Sequence, residues 1–154
     1  MSAAERAASW IATFFGIGLL RGPRGTWGSL AALPPAWVLA SLLGPLALLP
    51  AGFAVASIGV WASQVHARRL GIKDPSEIVI DEVAGQWITL SLVALDPAWW
   101  VLGFCLFRVC DILKPWPASR IDRTWPGGWG VMLDDVVAGI YAAILLWIFV
   151  KALP

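Results

Sequence analysis

Asp134-Asp135-Val136-Val137-Ala138-Gly139-Ile140-Tyr141-Ala142-Ala143-Ile144-Leu145-Leu146-Trp147-Ile148-Phe149-Val150 sets two carboxylates at the mouth of a long uncharged run. The run shows no period-two alternation, so it predicts a helix rather than a barrel strand. A segment this apolar calls for an apolar solvent, and in lipid only helices and closed barrels satisfy their backbone polar groups.

Four more runs have the same character: Leu30 to Leu49 with Pro34-Pro35 near its start, Ala51 to Val65, Ile78 to Leu95, and Trp99 to Leu113. Gly44, Pro45 and Pro50 supply breakers within and between the first two, His66-Ala67-Arg68-Arg69 ends the second, and Asp96-Pro97 makes a turn. Lys114-Pro115-Trp116-Pro117 closes the fourth, since no helix crosses it unbroken. A shorter stretch, Trp10–Leu20, reads as an interfacial or buried helix, and nothing after it resembles a signal-peptide cleavage site. The expectation is an all-α polytopic membrane bundle, about five membrane helices plus that N-terminal helix, in one domain over residues 1–154.

Composition agrees. The chain is 59% hydrophobic with eleven Trp, and its mean hydropathy is +0.76. So small a soluble domain has no core large enough for that much apolar surface, and Trp collects at membrane–water interfaces. A net charge of +1 gives no basis for a nucleic-acid partner. Cys105 and Cys110 fit neither a zinc knuckle nor a redox pair and read as small apolar residues.

Five crossings that start with residues 1–28 inside put 66–78 and 114–134 on the same side. Ten of the eleven Lys and Arg then lie inside, Lys151 being the exception, which is the positive-inside pattern. Nine of the ten acids lie there too, all but Asp96. Acids do not set topology, so another constraint has gathered them.

That constraint reads as chemistry. Asp74 or Ser76 is placed to cap the third helix, which puts Glu77 and Asp81 on one face with Gly85 one turn deeper. Asp135 and Gly139 repeat the spacing of Asp81 and Gly85, the glycine leaving room for an ion or a close neighbouring backbone. Carboxylates meeting across helix ends repel unless cations lie between them, and oxygen ligands without clustered His or Cys select magnesium, manganese or calcium. Arg108, Lys114, Arg120 and Arg123 are placed to receive phosphate oxygens. Arg24-Gly25-Thr26-Trp27-Gly28-Ser29 reads as a glycine-bearing loop able to cradle an anion, and Gly127-Gly128-Trp129-Gly130 as a second loop, a headgroup lid or an interfacial turn. His66 reads as a solvated interfacial residue.

Four ordered motifs carry a resemblance: Gly25-Thr26-Trp27-Gly28-Ser29-Leu30; Asp74 to Gly85 with Ile80-Asp81-Glu82; Phe107-Arg108 with Asp111-Ile112-Leu113-Lys114-Pro115-Trp116-Pro117; and Gly127-Gly128 with Asp134-Asp135-Val136-Val137-Ala138-Gly139. With these the chain resembles the phosphatidylglycerophosphatase A family of bacterial inner-membrane enzymes over nearly its whole length. The resemblance implies a phospholipid substrate in the bilayer, phosphatidylglycerophosphate, hydrolysed to phosphatidylglycerol and phosphate by a site facing the cytoplasm. On this reading Mg2+ is the cofactor, with Asp81, Glu82, Asp134 and Asp135 as metal ligands. Asp81 also counts with the catalytic residues, Glu77 or Asp111 orients water, and Arg24, Thr26, Ser29, Arg108 and Lys114 bind substrate. The alternative is a small carboxylate-bearing transporter or channel component, which the scarcity of midplane acids disfavours.

Overall fold

The structure, a computed structural model, describes residues 1–153; Pro154, the last residue of the expected domain, lies outside the described residues. Among the described residues there are seven α-helices and no strand: α1 (Ala3–Ala12), α2 (Arg24–Leu43), α3 (Leu48–Leu70), α4 (Ile80–Leu90), α5 (Pro97–Leu113), α6 (Ala118–Thr124) and α7 (Gly127–Ala152).

The exterior differs from that of a soluble protein. Many of the interior positions are small residues, among them Ala32, Ala36, Ala40, Ala62, Ala84, Ala138 and Ala142, packed with a few large ones such as Phe107, Leu48, Ile88 and Leu146. The outer surface carries many large apolar side chains: Leu42, Leu43, Val101, Ile112, Leu113, Ile144, Trp147 and Ile148 are all exposed. Water would drive those side chains inward; lipid leaves them outside and lets small residues bring the backbones together. Three segments are long and apolar enough to cross a membrane: Arg24–Leu43, Pro45–Leu70 and Gly127–Ala152. Three full-length spans thus stand against the expected count of about five. α5 has 17 residues, at the lower limit for a crossing. α4 has 11, roughly 16 Å of helix or half a hydrocarbon core. It is surrounded by α2, α3, α5 and α7 instead.

The N-terminal helix lies earlier than Trp10–Leu20. Ser2 and Glu5 form a reciprocal capping box that starts α1 at Ala3. Phe14, Phe15 and Gly16 all have positive φ, which ends the helix before the apolar stretch does. Asp96-Pro97, expected as a turn, is the start of α5: the Asp96 side chain accepts from the N–H groups of Ala98 (2.8 Å) and Trp99 (3.2 Å) and caps the helix, with Pro97 at the first position.

Candidate active site

α4 opens at Ile80, later than a cap at Asp74 or Ser76 would have it. The Val79 N–H donates to the Ala12 carbonyl (3.0 Å) and the Ile78 N–H to that of Pro75 (3.0 Å), so residues 74–79 are a strap tied to the end of α1. Asp81 and Glu82 therefore sit in the first turn of α4, where the helix dipole favours negative charge. Glu77, outside the helix, does not share a face with Asp81. Its Oε1 lies 2.8 Å from His66 Nε2, and His66 Nδ1 lies 2.9 Å from Ser9 Oγ. His66 is 2% exposed rather than solvated. This chain ties α1 and α3 to the strap, in a separate cavity with Trp10 and Arg69.

α7 begins at Gly127, so Asp134 and Asp135 stand about two turns inside it, and Gly127-Gly128-Trp129-Gly130 is its first turn, not a loop. The glycines are packed rather than free. A Cβ on Gly128 would lie 2.2 Å from the Val60 carbonyl, and the Gly128 N–H donates to Gln64 Oε1 at 2.8 Å. Arg24 to Ser29 is likewise the start of α2. The close approach of α4 and α7 occurs at their glycines: a Cβ on Gly139 would meet the Gly85 carbonyl at 2.6 Å. Thr89 Oγ1 bridges the two, donating to the carbonyls of Gly85 (2.9 Å) and Gly139 (3.2 Å).

One turn above that contact, Asp81, Glu82 and Asp135 bring one carboxylate oxygen each to within 4.8 Å of one another. They border a cavity of about 240 Å³ that Asp74, Asp111, Asp122 and Asp134 also line. Unscreened, one such pair would repel by about 3 kcal/mol at an effective dielectric of ~20. Two cations are set against the seven carboxylates. Arg108 Nη1 lies 2.5 Å from Asp111 Oδ2, 3.8 Å from Glu82 Oε1 and 3.5 Å from the buried Ser29 Oγ. Lys114 Nζ lies 2.6 Å from Asp134 Oδ2 and 3.0 Å from Asp122 Oδ1. Burial works against the lysine's charge, but the hydrogen bonds and negative charge of Asp134 and Asp122 outweigh it and hold its pKa above the ordinary value.

The donor set fits a hard divalent cation. Asp81 Oδ1, Glu82 Oε2, Asp134 Oδ1 and Asp135 Oδ2 are buried with no hydrogen-bond partner among the described residues. Orphaned carboxylate oxygens of this kind are where a cation would find its ligands, and an all-oxygen set with the lone histidine elsewhere suits magnesium.

Of the residues singled out in the sequence, Asp81, Glu82, Asp111, Lys114, Asp134 and Asp135 share this cavity, and Arg108 and Ser29 support it from behind. Thr26 stands half-buried in the first turns of α2, and Arg24 donates to the Ser76 hydroxyl. Glu77 is apart. Gln86, not singled out in the sequence and not lining the cavity, is buried on α4 with both side-chain polar atoms unpartnered. Its spacing of four from Glu82 was the available signal.

A family model described as phosphatidylglycerophosphatase A matches residues 10–150. The chain is similar to phosphatidylglycerophosphatase A of Escherichia coli strain K12, 41% identical over 138 residues that cover 89% of this chain and 80% of that protein. Similarity to the Haemophilus influenzae protein of the same name is 38% over 138 residues, 89% of this chain and 85% of that one. A Bacteroides thetaiotaomicron protein named "Putative phosphatidylinositol-3-phosphatase" is 38% identical over 144 residues, 88% of this chain and 89% of its own. No solved structure matches significantly.

Proposed function

The chain belongs to the phosphatidylglycerophosphatase A family, and from that premise we propose that it hydrolyses phosphatidylglycerophosphate to phosphatidylglycerol and phosphate in a magnesium-dependent reaction at the cytoplasmic face of a bacterial inner membrane. The observation that carries the proposal is the convergence of Asp81, Glu82 and Asp135 from two helices within 4.8 Å, with Lys114 lining the same cavity and Arg108 behind it against Asp111 and Glu82.

Asp81, Glu82 and Asp135 would hold the metal, with the free Oδ1 of Asp134 beside them. Magnesium bound there supplies positive charge to the phosphoryl oxygens, where negative charge spreads in the transition state. The protein's own groups do the rest. Asp111, its Oδ2 held by Arg108, takes a proton from the attacking water as the water oxygen bonds to phosphorus. The bond from phosphorus to the glycerol oxygen breaks, and the proton on Asp111 passes to that oxygen. Lys114, with its raised pKa, is a poor proton donor and acts as a fixed charge on the phosphoryl oxygens. Glu77 has no part in these steps; its place against His66 supports a positioning role for the strap before α4.

A lipid phosphate needs its site at the membrane interface. The positive-inside charge distribution and the exposed apolar faces of α2, α3 and α7 support that placement, the acyl chains staying in the bilayer. The test is phosphate release by purified protein in detergent micelles from phosphatidylglycerophosphate, phosphatidic acid and phosphatidylinositol 3-phosphate, with and without chelator. Magnesium-dependent release, fastest from the first, is expected; preferred turnover of either other lipid refutes the substrate assignment.

A further inference from the structure

The carboxylate cavity has a neighbour of opposite charge. It measures about 540 Å³ and is lined by Arg21, Gly22, Arg24, Gly25 and Ser76. Ser76 lines both cavities. Gly25 forms the partition: a Cβ there would fall 2.3 Å from Glu82 Oε1 and 2.9 Å from Arg108 Nη2. Little more than one residue's backbone separates the two spaces.

The cations in this second cavity are unspent. Among the described residues neither Arg21 nor Arg24 is in an ion pair, and no carboxylate lines the cavity. Arg24 donates to the Ser76 hydroxyl, which leaves most of its guanidinium donors free. The Arg21 carbonyl accepts from Trp27 Nε1 at 3.2 Å, so the loop between the two arginines is pinned to α2. Two guanidiniums around one open space repel each other and suit an anion with several oxygens.

We propose that Arg21 and Arg24 bind a phosphodiester, the second phosphate of a lipid headgroup whose terminal monoester lies in the carboxylate cavity, and that this subsite selects two-phosphate headgroups over single-phosphate lipids. The inference rests on the proposed function and extends it. In such a substrate the two phosphates are joined by one glycerol, which calls for two adjoining cavities. The diester also carries the diacylglycerol, so its subsite must open to lipid; Leu19, Leu20, Trp27 and Leu30, in the same stretch of chain, are exposed. The cavity on the other flank, about 330 Å³, contains Lys73 and Arg123 but also Asp74 and Asp122, and so offers no excess positive charge.

The test uses two inhibitors of turnover by the full chain in mixed micelles. Phosphatidylglycerol carries the diester alone, and inorganic phosphate stands for the monoester alone. In an Arg21→Gln/Arg24→Gln double variant, the inhibition constant for phosphatidylglycerol should rise at least tenfold. The constant for inorganic phosphate should move less than twofold, and the loss on phosphatidylglycerophosphate should fall on KM more than on kcat. Arg24→Lys, which keeps charge but not the fork, should be intermediate. The inference is overturned if phosphatidylglycerol does not inhibit the unmodified protein, if both constants move together, or if Lys73→Gln/Arg123→Gln produces the phosphatidylglycerol effect instead. Failure of the unmodified protein to release phosphate from phosphatidylglycerophosphate would overturn the function itself, a result distinct from any of these.

Discussion

Gly25→Ala separates the catalytic arrangement from the fold. The added methyl would lie 2.3 Å from Glu82 Oε1 and 2.9 and 3.0 Å from the Arg108 Nη2 and Nη1 atoms. Ordinary contact begins near ~3.5 Å, so the Glu82 carboxylate must retreat by about 1 Å. The obstructing atoms are the ends of side chains, which move cheaply, and Ala is the better helix former by about 0.5–1 kcal/mol, somewhat less in a first turn. Thermal stability should stay level or rise slightly. Catalysis should not: a displacement of ~1 Å in a reacting assembly costs on the order of 10²-fold in rate, about 2.7 kcal/mol of barrier. The control is Gly28→Ala, whose methyl would fall 2.8 Å from Val79 Cβ and 3.2 Å from its carbonyl oxygen. Those atoms belong to the strap itself, so this change should lower the melting temperature. The assay is kcat/KM on phosphatidylglycerophosphate alongside a melting curve in detergent. If Gly25→Ala stays within threefold of the parent while remaining folded, the placement of Glu82 and Arg108 does not govern turnover and the proposed site is wrong.

Asp81→Asn and Asp135→Asn should each lower kcat by roughly 10²–10³-fold and raise the magnesium concentration for half-maximal rate at least ~tenfold; unchanged metal demand would remove them as ligands. Chelation should abolish phosphate release and excess magnesium restore it, so chelator-resistant turnover refutes a metal mechanism. His66→Ala removes the partner of Glu77 while Arg69 still donates to Ser9 Oγ, and should cost about 1 kcal/mol of stability, seen as a lower melting temperature, with less than ~tenfold loss of kcat. Complete loss of turnover in a folded His66→Ala protein would place His66 and Glu77 in the chemistry. Gly139→Ala drives a methyl to 2.6 Å from the Gly85 carbonyl, an obstacle of backbone, and should destabilise by about 1–3 kcal/mol or more, read from the same melting curves.

Helix content and the identity of the carboxylates were legible because both are written locally, in unbroken apolar runs and in the acids at their ends. Helix boundaries were not, because contacts distant in sequence decide them. Nothing near Val79 announces that its N–H will be taken by the Ala12 carbonyl, which holds 74–79 off the helix and removes Glu77 from the face of Asp81. Nothing near Gly127 announces that Gln64 and Val60 wait beside it, which makes an apparent loop the first turn of α7. The burial of His66 depends on α1, whose Ser9 lies 57 residues away in the chain. Pairwise tertiary contacts of this kind leave no periodic trace.

The repeated spacing of a carboxylate four residues before a glycine was visible, and the structure gives its physical meaning. Of the two uses a glycine at that spacing allows, space for an ion or for a neighbouring backbone, Gly85 and Gly139 serve the second: they lie against each other. A helix repeats every 3.6 residues, so a side chain four before such a contact projects from nearly the same face one turn away. Where α4 and α7 touch at their glycines, Asp81 and Asp135 must therefore face each other one turn above, close enough to share an ion. The contact also explains how buried like charges persist in the fold. The area the helices bury against each other holds the carboxylates together, and the repulsion between them is left for a cation to relieve. Under the proposed function the affinity for a metal and the stability of the α4–α7 contact would be two sides of one equilibrium, each measurable through the other.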